Sequence, residues 1–124
     1  MTEADFRDRV EIHNKLVRDH IPGIIRSKGD VPVIHTANDR EFWAKLKDKL
    51  KEEVDEFLAT EKPEELADIW EVLETIMKHK RIPTKKLATI KTKKFKERGG
   101  FEHKVILDEV RKTVKTKRKG KTGF

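Results

Sequence analysis

The chain contains no cysteine and no tyrosine. Without cysteine there is no disulfide framework and no thiolate metal site, and a thiol nucleophile is excluded. Long apolar runs are also missing: none approaches the roughly 18 residues that a membrane helix needs. The opening stretch MTEADFRDRVEIHNK is too charged for a signal peptide. A cytoplasmic location with no membrane partner is the resulting expectation. His13, His20, His35, His79 and His103 show neither an HExxH pattern nor any close paired spacing, so no histidine metal site is expected. There is no phosphate-binding Gly-x-x-x-x-Gly-Lys loop, no nucleophile elbow and no internal repeat of solenoid length.

What is present is charge. Of 124 residues, 43% are charged and 35% apolar, a balance that favours helices with solvated faces over a thick sheet core. One modest core is possible at this length, and its margin is thin, so burial is expected to be completed by a homodimer or homotetramer. The net charge of +7 is not spread evenly. Residues 1–110 balance acids against bases, and the excess lies in RKTVKTKRKGKTGF at 111–124. The expected organisation is a single domain over 1–110 and a mobile basic tail over 111–124. Such a tail can act as a nonspecific, salt-dependent arm for nucleic acid, or simply be solvated.

The spacing predicts a helix from Asn38 or Asp39, either a good N-cap, to about Ala59. Trp43, Leu46, Leu50 and Phe57 recur at steps of three and four, and Glu53 takes the seam position between Leu50 and Phe57. After a short turn, Pro63 suits the first position of a second helix running to about Met77, with Leu66, Ile69 or Trp70, Leu73 and Ile76 as its apolar face. The short connection makes the pair antiparallel. A third helix is predicted from Pro83 or Thr84 to Arg98, closed by Gly99 in the left-handed region. Upstream, residues 15–22 read as a short helix broken near Pro22, followed by an irregular or hairpin-like run through Val31, Val33 and His35. Residues 101–107 are ambiguous between strand and helix. The fold class is all-α, an antiparallel helix bundle.

Two acidic pairs carry the chemistry, Glu53 with Glu56 and Glu65 with Asp68. Residues three apart share a helical face, so each pair presents oxygen donors about one turn apart, and the antiparallel partner brings the other pair to the same groove. Four convergent carboxylates suit a hard cation, magnesium above all, which keeps positions for phosphate oxygens and water. Most i, i+3 acidic pairs on charged helices merely face solvent. Glu53 argues otherwise, because a carboxylate buried in an apolar seam costs several kcal/mol unless something compensates it. Trp43 and Trp70 read as core or interface residues, with base stacking as the alternative.

The segment KLKEEVDEFL at 49–58, followed by EELADIWEV at 64–72, resembles the Glu-Glu-x-x-Glu … Glu-x-x-Asp signature of the all-α nucleoside triphosphate pyrophosphohydrolases. That superfamily includes MazG-like enzymes, dimeric dUTPases and phosphoribosyl-ATP pyrophosphohydrolase. NKLVRDHIP at 14–22 and KERGGFE at 96–102 are similar to its short phosphoribosyl-ATP pyrophosphohydrolase-like members. The resemblance implies a MazG-like bundle that hydrolyses a nucleoside triphosphate between the α and β phosphates, giving a monophosphate and pyrophosphate. It implies Mg2+, or Mn2+ in its place, held by Glu53, Glu56, Glu65 and Asp68. Glu53 and Glu52 are then the catalytic candidates, Glu52 as a further ligand or as the group that orients water. One departure is the short separation of Glu56 from Glu65, only residues 57–64.

A triphosphate needs more positive charge than magnesium supplies. Lys15 and Arg18 are expected on one face of the upstream helix, and Lys91, Lys94 and Arg98 step along the third helix. Lys15, Arg18, Lys94 and Arg98 are the substrate-binding candidates, Arg98 standing beside Gly99 and Gly100 where backbone can also approach. House-cleaning of nucleotides, phosphoribosyl-ATP hydrolysis and a non-enzymatic nucleic-acid-binding module acting through the tail are the three functions these residues allow.

Overall fold

The computed structural model describes residues 9–114. Among these the chain is all-helical: α1 (Ile21–Ser27), α2 (Asp39–Thr60), α3 (Pro63–His79) and α4 (Thr84–Arg98), with no strand. The chain divides into two compact units, Met1–Lys86 and Leu87–Phe124, with the division inside α4. No described helix is long and apolar enough to cross a membrane. Of the basic tail at 111–124, residues 115–124 lie outside the described residues.

The first unit is organised around the α2–α3 hairpin. Asn38 caps α2, its side-chain oxygen accepting the Glu41 N–H at 2.9 Å, which satisfies one of the orphan donors of the first turn. Asp39 and Glu41 in that turn add favourable charge at the positive end of the helix dipole. The helix stops at Glu61, whose φ of 55° is left-handed and whose N–H returns to the Phe57 carbonyl at 2.7 Å. Pro63 then opens α3 where its missing N–H costs nothing. With only Glu61 and Lys62 between the helices, α3 runs back along α2. Phe42 and Trp43 of α2 therefore meet His79 at the far end of α3, Trp43 stacking on its ring at 5.2 Å between centroids.

Glu61 is a poor residue for a left-handed cap, since a Cβ crowds the following carbonyl there. Glu61→Gly is expected to stabilise the protein by about 0.5–1 kcal/mol after the extra chain entropy of glycine is counted. Urea titration of the two proteins measures this, and a glycine variant no more stable than the parent contradicts it.

The core is as thin as the composition implies. Leu46 on α2 is 1% exposed and Val72 on α3 is 7% exposed, and they are the only buried apolar side chains among the described residues. Val72 identifies the true seam of α3. Glu65, Asp68, Ile69, Val72, Ile76 and His79 are all at least partly buried, while Leu66, Trp70 and Leu73 are exposed. Of the expected face, Leu66, Ile69 or Trp70, Leu73 and Ile76, the positions Ile69 and Ile76 lie on this seam, while Leu66, Trp70 and Leu73 lie off it. Apolar residues cover a wide arc of α3, so the period alone leaves two overlapping stripes, and packing against α2 selects one.

Residues 14–20 do not form the expected helix. They are irregular, and α1 begins at Ile21 with Pro22 in its first turn. Proline ends a helix only from the interior; in the first turn its fixed φ is already helical and no hydrogen bond is lost. Residues 30–38 are irregular and pair with no strand.

In the second unit, α4 ends as expected at Gly99, with φ of 79° and its N–H on the Phe95 carbonyl at 2.8 Å. Leu87, Ile90 and Phe95 form an apolar row that stays exposed. The stretch after Phe101 is neither strand nor helix among the described residues.

Candidate metal centre

Near the closed end of the hairpin, α2 and α3 bring three carboxylates together. One oxygen each of Glu53, Glu65 and Asp68 lies within 4.8 Å of the others. The short connection explains the convergence: about two turns of α2 after Glu53 and two linker residues place Glu65 in the first turn of α3, opposite Glu53. Because Glu65 and Asp68 stand on the seam itself, both project toward α2. Glu56 does not join the three; it is exposed, though its charge still reaches Glu53.

Glu53 is the decisive residue. It is 6% exposed, and its Oε1 receives Lys49 Nζ at 3.2 Å one turn away. Its Oε2 is buried with no hydrogen-bond partner. Burial pushes the Glu53 carboxyl above the usual carboxylate range; the Lys49 hydrogen bond and charge oppose this, and the charges of Glu56 and Asp68 reinforce it. A lone carboxylate oxygen inside a cluster of like charge is a costly arrangement unless a cation occupies the groove.

Glu52, one residue earlier, faces a different neighbourhood. Burial raises its carboxyl, but hydrogen bonding by Lys15 and the charge of Lys49 outweigh that and hold it below the ordinary value. Its Oε1 accepts from Lys15 Nζ at 2.8 Å, and its Oε2 from Lys49 at 3.4 Å. Both Glu52 oxygens are thus engaged by lysines, and the residue stands outside the three-carboxylate group.

Lys15 and Arg18 come from the irregular segment ahead of α1, which lies as a strap against the hairpin. Lys45 Nζ holds the Asn14 carbonyl at 2.6 Å, where Asn14 takes a left-handed φ of 47°. Lys15 then reaches Glu52, and Arg18 Nη2 donates to Asp68 Oδ1 at 2.8 Å, with its Nη1 4.0 Å from Glu71 Oε1. Glu52 also raises the Lys15 ammonium above its ordinary value, by hydrogen bonding first and then charge, against an opposing desolvation effect. The two basic residues are brought to the site by an extended segment, not by a shared helical face.

Around the groove stand six carboxylates (Glu52, Glu53, Glu56, Glu65, Asp68 and Glu71) and three basic groups (Lys15, Arg18 and Lys49). The surplus is negative, which suits a divalent ion. Lys49 and Glu71 are absent from the sequence-level set. Lys49 was legible there, standing three and four residues before Glu52 and Glu53 on one helix; Glu71 was not, since its relevance depends on Arg18. Lys94 and Arg98 are exposed on the part of α4 that belongs to the second unit.

No protein-family model matches the chain, and no solved structure does. An uncharacterized protein of Mycolicibacterium smegmatis (strain ATCC 700084 / mc(2)155) is 53% identical over 47 residues, 38% of this chain. Those residues span 48% of that relative, about half its length.

Proposed function

We propose that the chain is a Mg2+-dependent nucleotide pyrophosphohydrolase of the all-α, MazG-like type, cleaving a nucleoside triphosphate to the monophosphate and pyrophosphate. The observation that carries this reading is the buried, unpartnered Glu53 Oε2 at a three-carboxylate cluster with basic side chains on its rim. The donor set is all carboxylate, which is what a hard cation selects. Glu53, Glu65 and Asp68 would hold the ion, and Glu56, on the adjacent turn, would join them by a side-chain rotation. Such an ion supplies charge neutralisation at the phosphate oxygens and a lowered pKa for water.

The remaining work falls to the chain itself. Lys15 fixes Glu52, so that its carboxylate is ionised and oriented at the edge of the groove to accept a hydrogen bond from water. Arg18 stands half exposed at the opposite edge, where a guanidinium suits a phosphate oxygen better than an ammonium would. Lys94 and Arg98, in the second unit, stay phosphate-binding candidates on their spacing in the sequence and the glycines beside Arg98. Exposure of Leu66, Trp70 and Leu73 on one side of α3 supports assembly into a dimer or tetramer.

A coupled pyrophosphate-release assay across a nucleotide panel tests the proposal. Release is expected from at least one nucleoside triphosphate with Mg2+ and not with chelator. Including phosphoribosyl-ATP separates the two enzymatic alternatives by turnover, and absence of metal-dependent release from every substrate contradicts both.

A further inference from the structure

The guanidinium that holds Asp68 is also the basic group best placed to meet a polyphosphate. Three basic side chains border the acidic groove, and their environments differ. Lys49 is partly buried and engaged by both Glu52 and Glu53 on α2, its side chain only 15% exposed, which leaves little of it for a ligand. Lys15 is bound to Glu52, which lies outside the three-carboxylate cluster. Of the three, only Arg18 both pairs with a member of the cluster, at 2.8 Å from Asp68 Oδ1, and keeps an exposed side chain, 54% accessible.

A divalent ion ligated by Asp68 and a guanidinium bonded to Asp68 draw on the same carboxylate and repel each other. The guanidinium has somewhere to go. Glu71, outside the cluster, lies 4.0 Å from its other nitrogen and can keep it at the rim. The residue stands on an irregular strap ahead of α1, where side-chain rotation need not disturb a helix.

We propose that Arg18 is an exchange residue: it competes with the divalent cation for Asp68 and, once displaced, receives a phosphate oxygen of the substrate, so that cation and polyphosphate bind with positive coupling. The inference rests on the metal-site reading above. Its consequence is a linkage. Cation binding frees a phosphate-binding group, and a bound phosphate keeps Arg18 off Asp68, so each ligand strengthens the other by the same factor. Removing Arg18 therefore has opposite effects on the two partial reactions, which loss of a merely structural contact does not produce.

The test uses the full chain and two direct binding measurements. Mn2+ affinity is read by the loss of the free-ion electron paramagnetic resonance signal without nucleotide, and inorganic tripolyphosphate affinity by calorimetry at saturating Mg2+. Arg18→Gln is expected to bind Mn2+ roughly three- to tenfold more tightly than the parent and tripolyphosphate roughly tenfold more weakly. Arg18→Lys, which keeps the charge without the fork, is expected to fall between them. Lys15→Gln controls for charge alone: equal tightening of Mn2+ in the Lys15 and Arg18 variants overturns the exchange. So does a parent-like Mn2+ affinity in Arg18→Gln when Asp68→Asn abolishes binding, a result that leaves the metal site standing. Mn2+ binding that Asp68→Asn does not weaken overturns the metal site and the exchange together.

Discussion

Glu53→Gln and Asp68→Asn are each expected to lower Mg2+-dependent pyrophosphate release by at least about 100-fold, with far-UV circular dichroism unchanged. Both substitutions are nearly isosteric, so helix packing survives, but each removes one negative charge from a cluster whose three oxygens lie within 4.8 Å. Glu53 contributes most, because it is the member already buried and its free oxygen has no competing partner. Asp68 contributes as a member of the cluster and as the partner of Arg18. Glu56→Gln is the internal comparison. Standing exposed outside the group, it is expected to lose less than either. Rates unaltered in both the Glu53 and Asp68 variants would exclude this groove as the site of catalysis.

The second large effect concerns stability and has the opposite sign. In chelator at pH 7, Glu53→Gln is expected to be more stable than the parent by about 1 kcal/mol, because it removes a buried charge whose second oxygen is unsatisfied. In a protein of this size that is a rise of several degrees in Tm. The pH dependence follows from the raised Glu53 carboxyl. In the unfolded chain this group ionises in the ordinary carboxylate range, while in the fold it holds its proton to higher pH. The fold therefore binds more protons in the interval, and the parent loses stability as pH rises through it. Below that interval the glutamine variant's advantage vanishes, and above it the advantage is constant. Glu52 acts in the reverse direction. Its depressed carboxyl contributes stability above the ordinary range that is lost as pH falls, and both proteins share it.

Mg2+ should invert the ranking. A ligand that binds only the folded state adds about 2.7 kcal/mol at a hundredfold excess over its dissociation constant, and the parent is expected to receive much more of this than Glu53→Gln. Thermal melts of both proteins from pH 4 to 8, with chelator and with excess Mg2+, measure all of these effects. A glutamine variant less stable than the parent in chelator at pH 7 is incompatible with a strained, cation-dependent Glu53. Glutamate in the seam then has a physical reason. An apolar residue there would complete the stripe between Leu50 and Phe57, so stability is given up at this position for a charge.

By itself the sequence determined α2, α3 and α4 and the hairpin between the first two of these, though not α1. Asn38 as cap, Pro63 at the start of α3 and Gly99 after α4 are local signals whose stereochemistry acts within one turn, and each stands where expected. Glu53 between Leu50 and Phe57 was legible for the same reason, since a helical seam is a property of a single segment. Other features only the tertiary structure decided. Val72, and not Leu66 or Trp70, faces α2, because a broad apolar arc does not say which of its stripes will be covered. Glu56 stays outside the group that Glu53, Glu65 and Asp68 form, since convergence depends on interhelical geometry and not on spacing. The strap that brings Lys15 to Glu52 and Arg18 to Asp68 joins residues 37 and 50 positions apart. No periodicity spans that distance. Those pairings arise because an irregular basic segment finds the largest nearby concentration of negative charge, and that concentration exists only once α3 has folded back on α2.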